Sequence, residues 1–225
     1  MEGMNITVDT LLEGNKRFVA SKLRENINVF KDSSQGQHPR FLWVGCSDSR
    51  IDPNEITQTS IGELFVHRNI ANLVVEYDLN FLSVLQYAVE VLKVEDVIIC
   101  GHYGCGGVNA AMKGDQLGLI DNWLAHIKSA HQYYAWEIDQ QPDERSKARK
   151  LVELNVLEQV NTLGKTRIIR EAWARGPVPR LNGWVYDIEN GDIKVLHKGI
   201  TDSEQLKVTC KYERKAKYDA TDKKS

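Results

Sequence analysis

The chain of 225 residues lacks, first of all, a long apolar run: nowhere does it offer the roughly 18 consecutive apolar residues that a membrane-spanning helix needs. A membrane partner is therefore not expected. It also lacks an excess of either charge. With 29 Lys and Arg against 31 Asp and Glu, its net charge is -2, so the field that draws a protein to polyanions is missing. The basic run from Lys211 to Lys224 is interrupted by Glu213, Asp219 and Asp222, which reads as a solvated tail and not as a nucleic-acid arm. Cysteine is scarce: Cys46, Cys100, Cys105 and Cys210 are the four present, and no two form a Cys-x-x-Cys. So sparse a set excludes a disulfide framework, leaves a thioredoxin-type couple without its scaffold, and denies a four-cysteine zinc site its pairs. The opening stretch Met1 to Thr7 has neither the basic nor the apolar segment of a secretory signal. The expected compartment is the cytoplasm, where clustered cysteines serve metal binding or catalysis.

What is present fits one α/β domain with a core of its own, since 42% of the residues are hydrophobic and 27% charged. Thr7 is placed to cap a helix in which Leu11, Leu12, Phe18 and Val19 share a face, and Ser21 to Arg40 reads as a polar connector. Phe41 to Val44, Leu64 to His67 and Val97 to Cys100 are short apolar runs, as expected of strands buried on both faces of a parallel sheet. Asp52-Pro53 starts a short helix through about Thr57. After Asp78, the apolar positions Leu82, Leu85, Val89 and Leu92 step at helical spacing. Asp121 is expected to cap a helix carrying Trp123, Leu124, Ile127 and Tyr134. A longer helix carries Leu151, Leu154, Leu157 and Val160, and Thr166 begins another, closed by Gly176-Pro177. Trp184 to Ile188 and Ile193 to His197 flank Glu189-Asn190-Gly191-Asp192, which predicts a hairpin through a type I′ turn.

Two strand ends carry the chemistry. Past the first lies Cys46-Ser47-Asp48-Ser49-Arg50; past the third lies Gly101-His102-Tyr103-Gly104-Cys105-Gly106-Gly107. Open α/β sheets place their sites beyond strand carboxyl ends. Two thiolates and an imidazole, Cys46, Cys105 and His102, suit zinc with a fourth position left exchangeable. An isolated His-x-x-Cys is more often a core cysteine beside a core histidine, but its pairing with Cys46 and Asp48 from another segment reverses that preference. Cys100, within an apolar strand, and Cys210, in the tail, are not expected to be ligands. His38, His67, His126, His131 and His197 read as surface or packing residues.

Cys-Ser-Asp-Ser-Arg at 46 to 50, His-Arg-Asn at 67 to 69 and Cys-Gly-His-Tyr-Gly-Cys-Gly-Gly at 100 to 107 together resemble the β-class carbonic anhydrases, with similarity from about Thr7 to Gly199. The resemblance implies one Zn2+ per subunit on Cys46, His102 and Cys105, with Asp48 as a conditional fourth ligand and Arg50 as its partner. It implies reversible hydration of CO2 to bicarbonate through a zinc-bound hydroxide, with Asp48 and Arg50 gating and orienting the nucleophile. The fold implied is a central four-stranded parallel sheet with an added antiparallel strand, flanked by helices. It would occupy residues 1 to 200, with an N-terminal arm of about 1 to 40 lying on a partner subunit and a polar tail from 201 to 225. The assembly implied is a homodimer or a dimer of dimers.

Trp43, Arg68 and Tyr186 match the positions that in one subgroup of the family form a non-catalytic bicarbonate pocket; alone they read equally well as a core indole, a structural ion pair and a strand tyrosine. Bicarbonate bound there would favour the zinc-ligated Asp48. Some regulated relatives have proline directly after the aliphatic residue where this chain has Ile51-Asp52-Pro53. Because two thiolates offset the charge of Zn2+, activity is expected to favour alkaline pH. Hydrolysis of CS2 or COS on the same scaffold, a non-catalytic zinc or bicarbonate sensor, and a redox-active dithiol protein are the alternative readings of the same residues.

Overall fold

The computed structural model describes residues 6–209; Cys210 and the basic run after it lie outside the described residues. The chain divides into two compact units, residues 1–38 and the residues from Pro39 on. In the first, α1 (Val8–Glu25) opens on a capping box: Thr7 Oγ1 accepts from the Thr10 N–H, and Thr10 Oγ1 accepts from the Thr7 N–H. The helix runs four residues past Ser21, its last turn tied by Lys22 to Glu25, and a short α2 (Val29–Ser33) follows. Half of the expected connector is therefore helical. Phe18 meets Phe30 edge-on, with ring centroids 6.1 Å apart, yet no residue of α1 or α2 is buried.

In the second unit β1 (Phe41–Cys46) is followed by α3 (Pro53–Thr57), β2 (Leu64–Asn69) and α4 (Leu79–Gln86), which continues into a π-helical turn over Tyr87–Leu92. Then come β3 (Asp96–His102), α5 (Gly106–Lys113), α6 (Ile120–Tyr133), α7 (Ala135–Asp139), α8 (Glu144–Lys165), α9 (Arg167–Trp173), β4 (Arg180–Tyr186), β5 (Ile193–Ile200) and α10 (Ser203–Thr209). The strands form one sheet in the order β2-β1-β3-β4-β5, all parallel except the added β5. The four parallel strands and single antiparallel one match the expected fold. β2 lies on one side of β1 and β3 on the other, so the chain reverses direction of build at β1, the place where open sheets leave a crevice. At the amino ends of the strands, buried Asp96 is held by Arg180 and by Asn182 Nδ2 at 3.0 Å. That contact fixes the β3–β4 register, and with it where the carboxyl ends arrive.

One face of the sheet presents Leu42, Val44, Val97 and Ile99 to a core completed by Leu151, Leu154, Val156 and Val160 of α8. The other buries Trp43, Ile98 and Cys100 against Trp184 and Tyr186. α8 lies close to the sheet because two strand positions have no side chain. A Cβ on Gly101 would stand 2.6 Å from Val156 Cγ2, and one on Gly183 would stand 3.1 Å from Val160 Cγ2. The glycine immediately before His102 thus seats the strand that delivers it.

Two sequence expectations are corrected. Asp121 lies inside the first turn of α6 and not at its cap; its carboxylate accepts from the Leu117 and Gly118 N–H groups instead. The hairpin is present but its turn is not type I′. Gly191 takes φ 80° while Asn190 stays at negative φ, because Asn190 Oδ1 accepts from the Asp192 N–H and Asp187 Oδ1 from the Glu189 N–H. These local bonds favour a wider loop, closed by the Gly191 N–H donating to Asp187 O at 2.8 Å.

Gly101→Ala is expected to lower stability by about 1–3 kcal/mol through overpacking. Adding Val156→Ala should recover part of that loss in chemical denaturation; an additive double variant would show that the two positions do not press on one another.

Candidate metal centre

β1 delivers Cys46 as its last residue, and pairing with β2 continues one step beyond it, where the Ser47 N–H donates to Asn69 O at 2.9 Å. β3 ends on His102, and the Tyr103 N–H still pairs with Tyr186 O at 3.0 Å. Gly104, at φ 71°, then turns the chain so that Cys105 becomes the N-cap of α5. Gly107 allows α5 to approach the turn after β2, since a Cβ there would lie 2.9 Å from Ile70 Cγ2.

The two strand ends bring Cys46 Sγ, Cys105 Sγ and a ring nitrogen of His102 within 4.8 Å of one another, all buried, and the sulfurs are 3.9 Å apart. His102 Nδ1 lies 3.0 Å from Tyr103 O, an acceptor only, so the proton belongs on Nδ1 and Nε2 carries the free lone pair. That Nε2 is buried without a hydrogen-bond partner. An orphaned imidazole nitrogen facing two sulfurs is the pattern a thiophilic cation satisfies. The electrostatics agree. The hydrogen bond from Cys105 holds the Cys46 thiol well below its ordinary range against the effect of burial, with His102 and the Ala71 N–H adding to it. Cys105 is pushed up in return, first by that same bond and then by burial. Two buried sulfurs this close cannot both carry charge unaided, and a dication removes the conflict. The donor set fits zinc.

Asp48 stands beside this cluster, its Oδ2 3.7 Å from His102 Nε2. Arg50 takes both carboxylate oxygens, Nε to Oδ1 at 2.9 Å and Nη2 to Oδ2 at 2.7 Å, and its own N–H adds a third bond to Oδ1. The fork holds the Asp48 carboxyl well below the usual carboxylate range. The structure therefore has Asp48 turned toward Arg50.

The three residues read as a possible oxyanion cage have other partners in the structure as it stands. Trp43 is buried, packs edge-on against Trp184 and shares a cluster with Tyr186. Its indole Nε1 sits over Gly45, where a Cβ would come within 2.4 Å. Arg68, opposite Gly45 across the β1–β2 ladder, donates from Nε to Cys46 O at 2.9 Å and from Nη2 to Asp48 O at 2.6 Å. It pins the backbone that carries both Cys46 and the aspartate.

Sequence reasoning missed the turn that follows β2. There the Ala71 N–H donates to Cys46 Sγ at 3.4 Å, from a residue in the left-handed region. A periodicity argument cannot see an alanine acting through its backbone. Cys100 is buried, with its thiol raised by desolvation, and lies outside the cluster.

The carbonic anhydrase family profile matches residues 41–193. A carbonic anhydrase of Emericella nidulans is 40% identical over 191 residues, spanning 85% of this chain and 84% of its own. Among solved structures, the tetrameric β-carbonic anhydrases of Sordaria macrospora superpose with a TM-score of 0.81 at 36% identity, over 85% of this chain and 97% of theirs. The β-carbonic anhydrase of Coccomyxa, solved with acetazolamide, gives 0.83 at 32% identity, over 91% and 92% of the two chains.

Arg68→Ala removes both bonds to the Cys46–Asp48 backbone. A loss of about 2 kcal/mol is expected in urea unfolding; an unchanged midpoint would mean the clamp carries no stability.

Proposed function

From the premise that this chain belongs to the carbonic anhydrase family and is a β-class carbonic anhydrase, we propose that it hydrates CO2 reversibly to bicarbonate and a proton with one Zn2+ held by Cys46, His102 and Cys105. The observation that carries the reading is the convergence of those three donors on one buried point, with the Asp48–Arg50 pair at its edge. Held there, Zn2+ would supply the Lewis acidity that makes water a nucleophile, and with two thiolates it would do so at a more alkaline pH than three neutral histidines, which lower the pKa of water to about 7.

The chain's own residues do the rest. Arg50 keeps Asp48 ionised and acceptor-only throughout the neutral range, so the carboxylate can take a proton of the reacting water in a hydrogen bond and aim its lone pair at CO2. The same fork holds the carboxylate away from Cys46, His102 and Cys105; released from Arg50, Asp48 could serve as a fourth ligand to the metal. Tyr103 O fixes the His102 ring so that Nε2 stays a donor to the metal. Asp48 titrates far below the working range, so protonation of this residue does not account for an alkaline rise in rate.

A regulatory reading is favoured by the Arg68 clamp. An anion such as bicarbonate that draws the guanidinium away from Cys46 O and Asp48 O would loosen the Asp48 loop, and linkage then requires Asp48's position to alter anion affinity in return. We further propose a cytoplasmic homo-oligomer, in which α1 lies across a partner subunit. α1 leaves Val8, Leu11, Leu12 and Phe18 exposed, and the Sordaria relatives are described as tetrameric. No described helix is long and apolar enough to cross a membrane.

Asp48→Asn should retain zinc while hydration falls about 100-fold or more in stopped flow, whereas His102→Ala should lose the metal itself. Full turnover by the Asn variant would remove Asp48 from the mechanism. In buffer that is not limiting, the hydration rate of the parent should climb between about pH 7 and pH 9; a flat profile contradicts the dithiolate argument.

A further inference from the structure

Two buried amides on α8 have no part in the chemistry above. Asn155 and Gln159, one turn apart on a helix face otherwise occupied by Leu151, Val152, Val156 and Val160, are 1% and 6% exposed. A buried amide left unpaired costs about 1–3 kcal/mol, and these two are engaged with each other and with a single segment. Gln159 Nε2 donates to Asn155 Oδ1 at 3.0 Å, Asn155 Nδ2 donates to Ala71 O at 3.1 Å, and the Val74 N–H donates to Gln159 Oε1 at 2.8 Å. From α6, Trp123 Nε1 donates to Ile70 O at 2.8 Å, and Asn69 brackets the segment with two bonds to the Leu73 backbone.

The segment so clamped is strained. Ala71 and Asn72 take φ 62° and 51° in succession, and L-residues in that region lose about 1–2 kcal/mol each. Such a conformation persists only where its surroundings over-determine it. Here its consequence is specific: it turns the Ala71 N–H onto Cys46 Sγ. A backbone dipole aimed at a metal-binding sulfur stabilises its negative charge and fixes its lone-pair direction, as outer partners of metal ligands do.

We infer that Asn155 and Gln159 are positioning residues for the Cys46 sulfur: they hold the turn after β2 in its left-handed form, so that the Ala71 N–H sets the orientation and donor strength of that ligand. The inference rests on the metal-centre reading, and neither amide touches a ligand.

The test uses Co2+ as the probe in metal-exchanged protein, read by its sulfur-to-cobalt charge-transfer band, with zinc retention measured against a chromophoric chelator. In Asn155→Leu, and more mildly in Gln159→Met, the band moves to lower energy and zinc retention weakens about 10–100-fold. Placing Ala71→Gly in the Asn155→Leu background returns both toward the parent, because glycine takes the left-handed conformation without strain. Leu181→Ala, a core truncation at the far ends of the strands, lowers stability and moves neither reading. Folded Asn155→Leu and Gln159→Met proteins matching the parent in both measurements would overturn the inference. Failure of the parent to take up cobalt or zinc at all would overturn the metal-centre reading beneath it.

Discussion

Two cysteine sulfurs held 3.9 Å apart in a buried place cannot both be charged without help. At that separation two unit charges repel by about 4 kcal/mol even at an effective dielectric of 20, and burial disfavours each charge further. A proton kept between them resolves the conflict one way and a thiophilic dication resolves it another, with His102 Nε2 buried beside them and without a hydrogen-bond partner. Everything at the carboxyl ends of β1 and β3 serves to keep these three donors from relaxing apart. Arg68 holds the backbone on one side, the left-handed turn at Ala71 presses a backbone dipole on Cys46 from another, and Gly104 turns Cys105 into the N-cap of α5.

The sheet makes this convergence possible at a distance. Asp96 with Arg180 and Asn182 sets the strands in register at one end, and Gly101 and Gly183 let α8 settle against them. The other end then arrives with Cys46 and His102 on neighbouring strands. Stability of the core and geometry of the site are the same property seen from opposite ends of four parallel strands. α8 serves both, packing the core through Val156 and Val160 and holding the β2 turn through Asn155 and Gln159.

The strands and the candidate donors at their carboxyl ends were legible in the sequence because each leaves a local mark. Short apolar runs bounded by polar residues mark buried strands, and Cys46, Asp48, Arg50, His102 and Cys105 announce themselves by residue type. The turn type at Asn190-Gly191 and the cap of α6 were misread because side-chain bonds from Asn190, Asp187 and Asp121 overrode the usual preference of those residues. The work of Arg68 was hidden for a different reason. A guanidinium reads as an anion or carboxylate partner, and sequence gives no sign that it also binds the carbonyls of residues 20 and 22 positions earlier. Ala71 left no mark at all, since it contributes an N–H that every residue but proline has. Asn155 and Gln159 did leave one, as two polar residues at helical spacing on a buried face, and became informative only once the turn they hold was seen.

The central claim is that Cys46, Cys105 and His102 bind one metal together. X-ray absorption at the zinc edge of the purified protein tests it directly. The account predicts one zinc per chain with two sulfur neighbours at about 2.3 Å and nitrogen or oxygen neighbours at about 2.0–2.1 Å. A zinc shell without sulfur, with four sulfurs, or a folded protein that retains no zinc would contradict it.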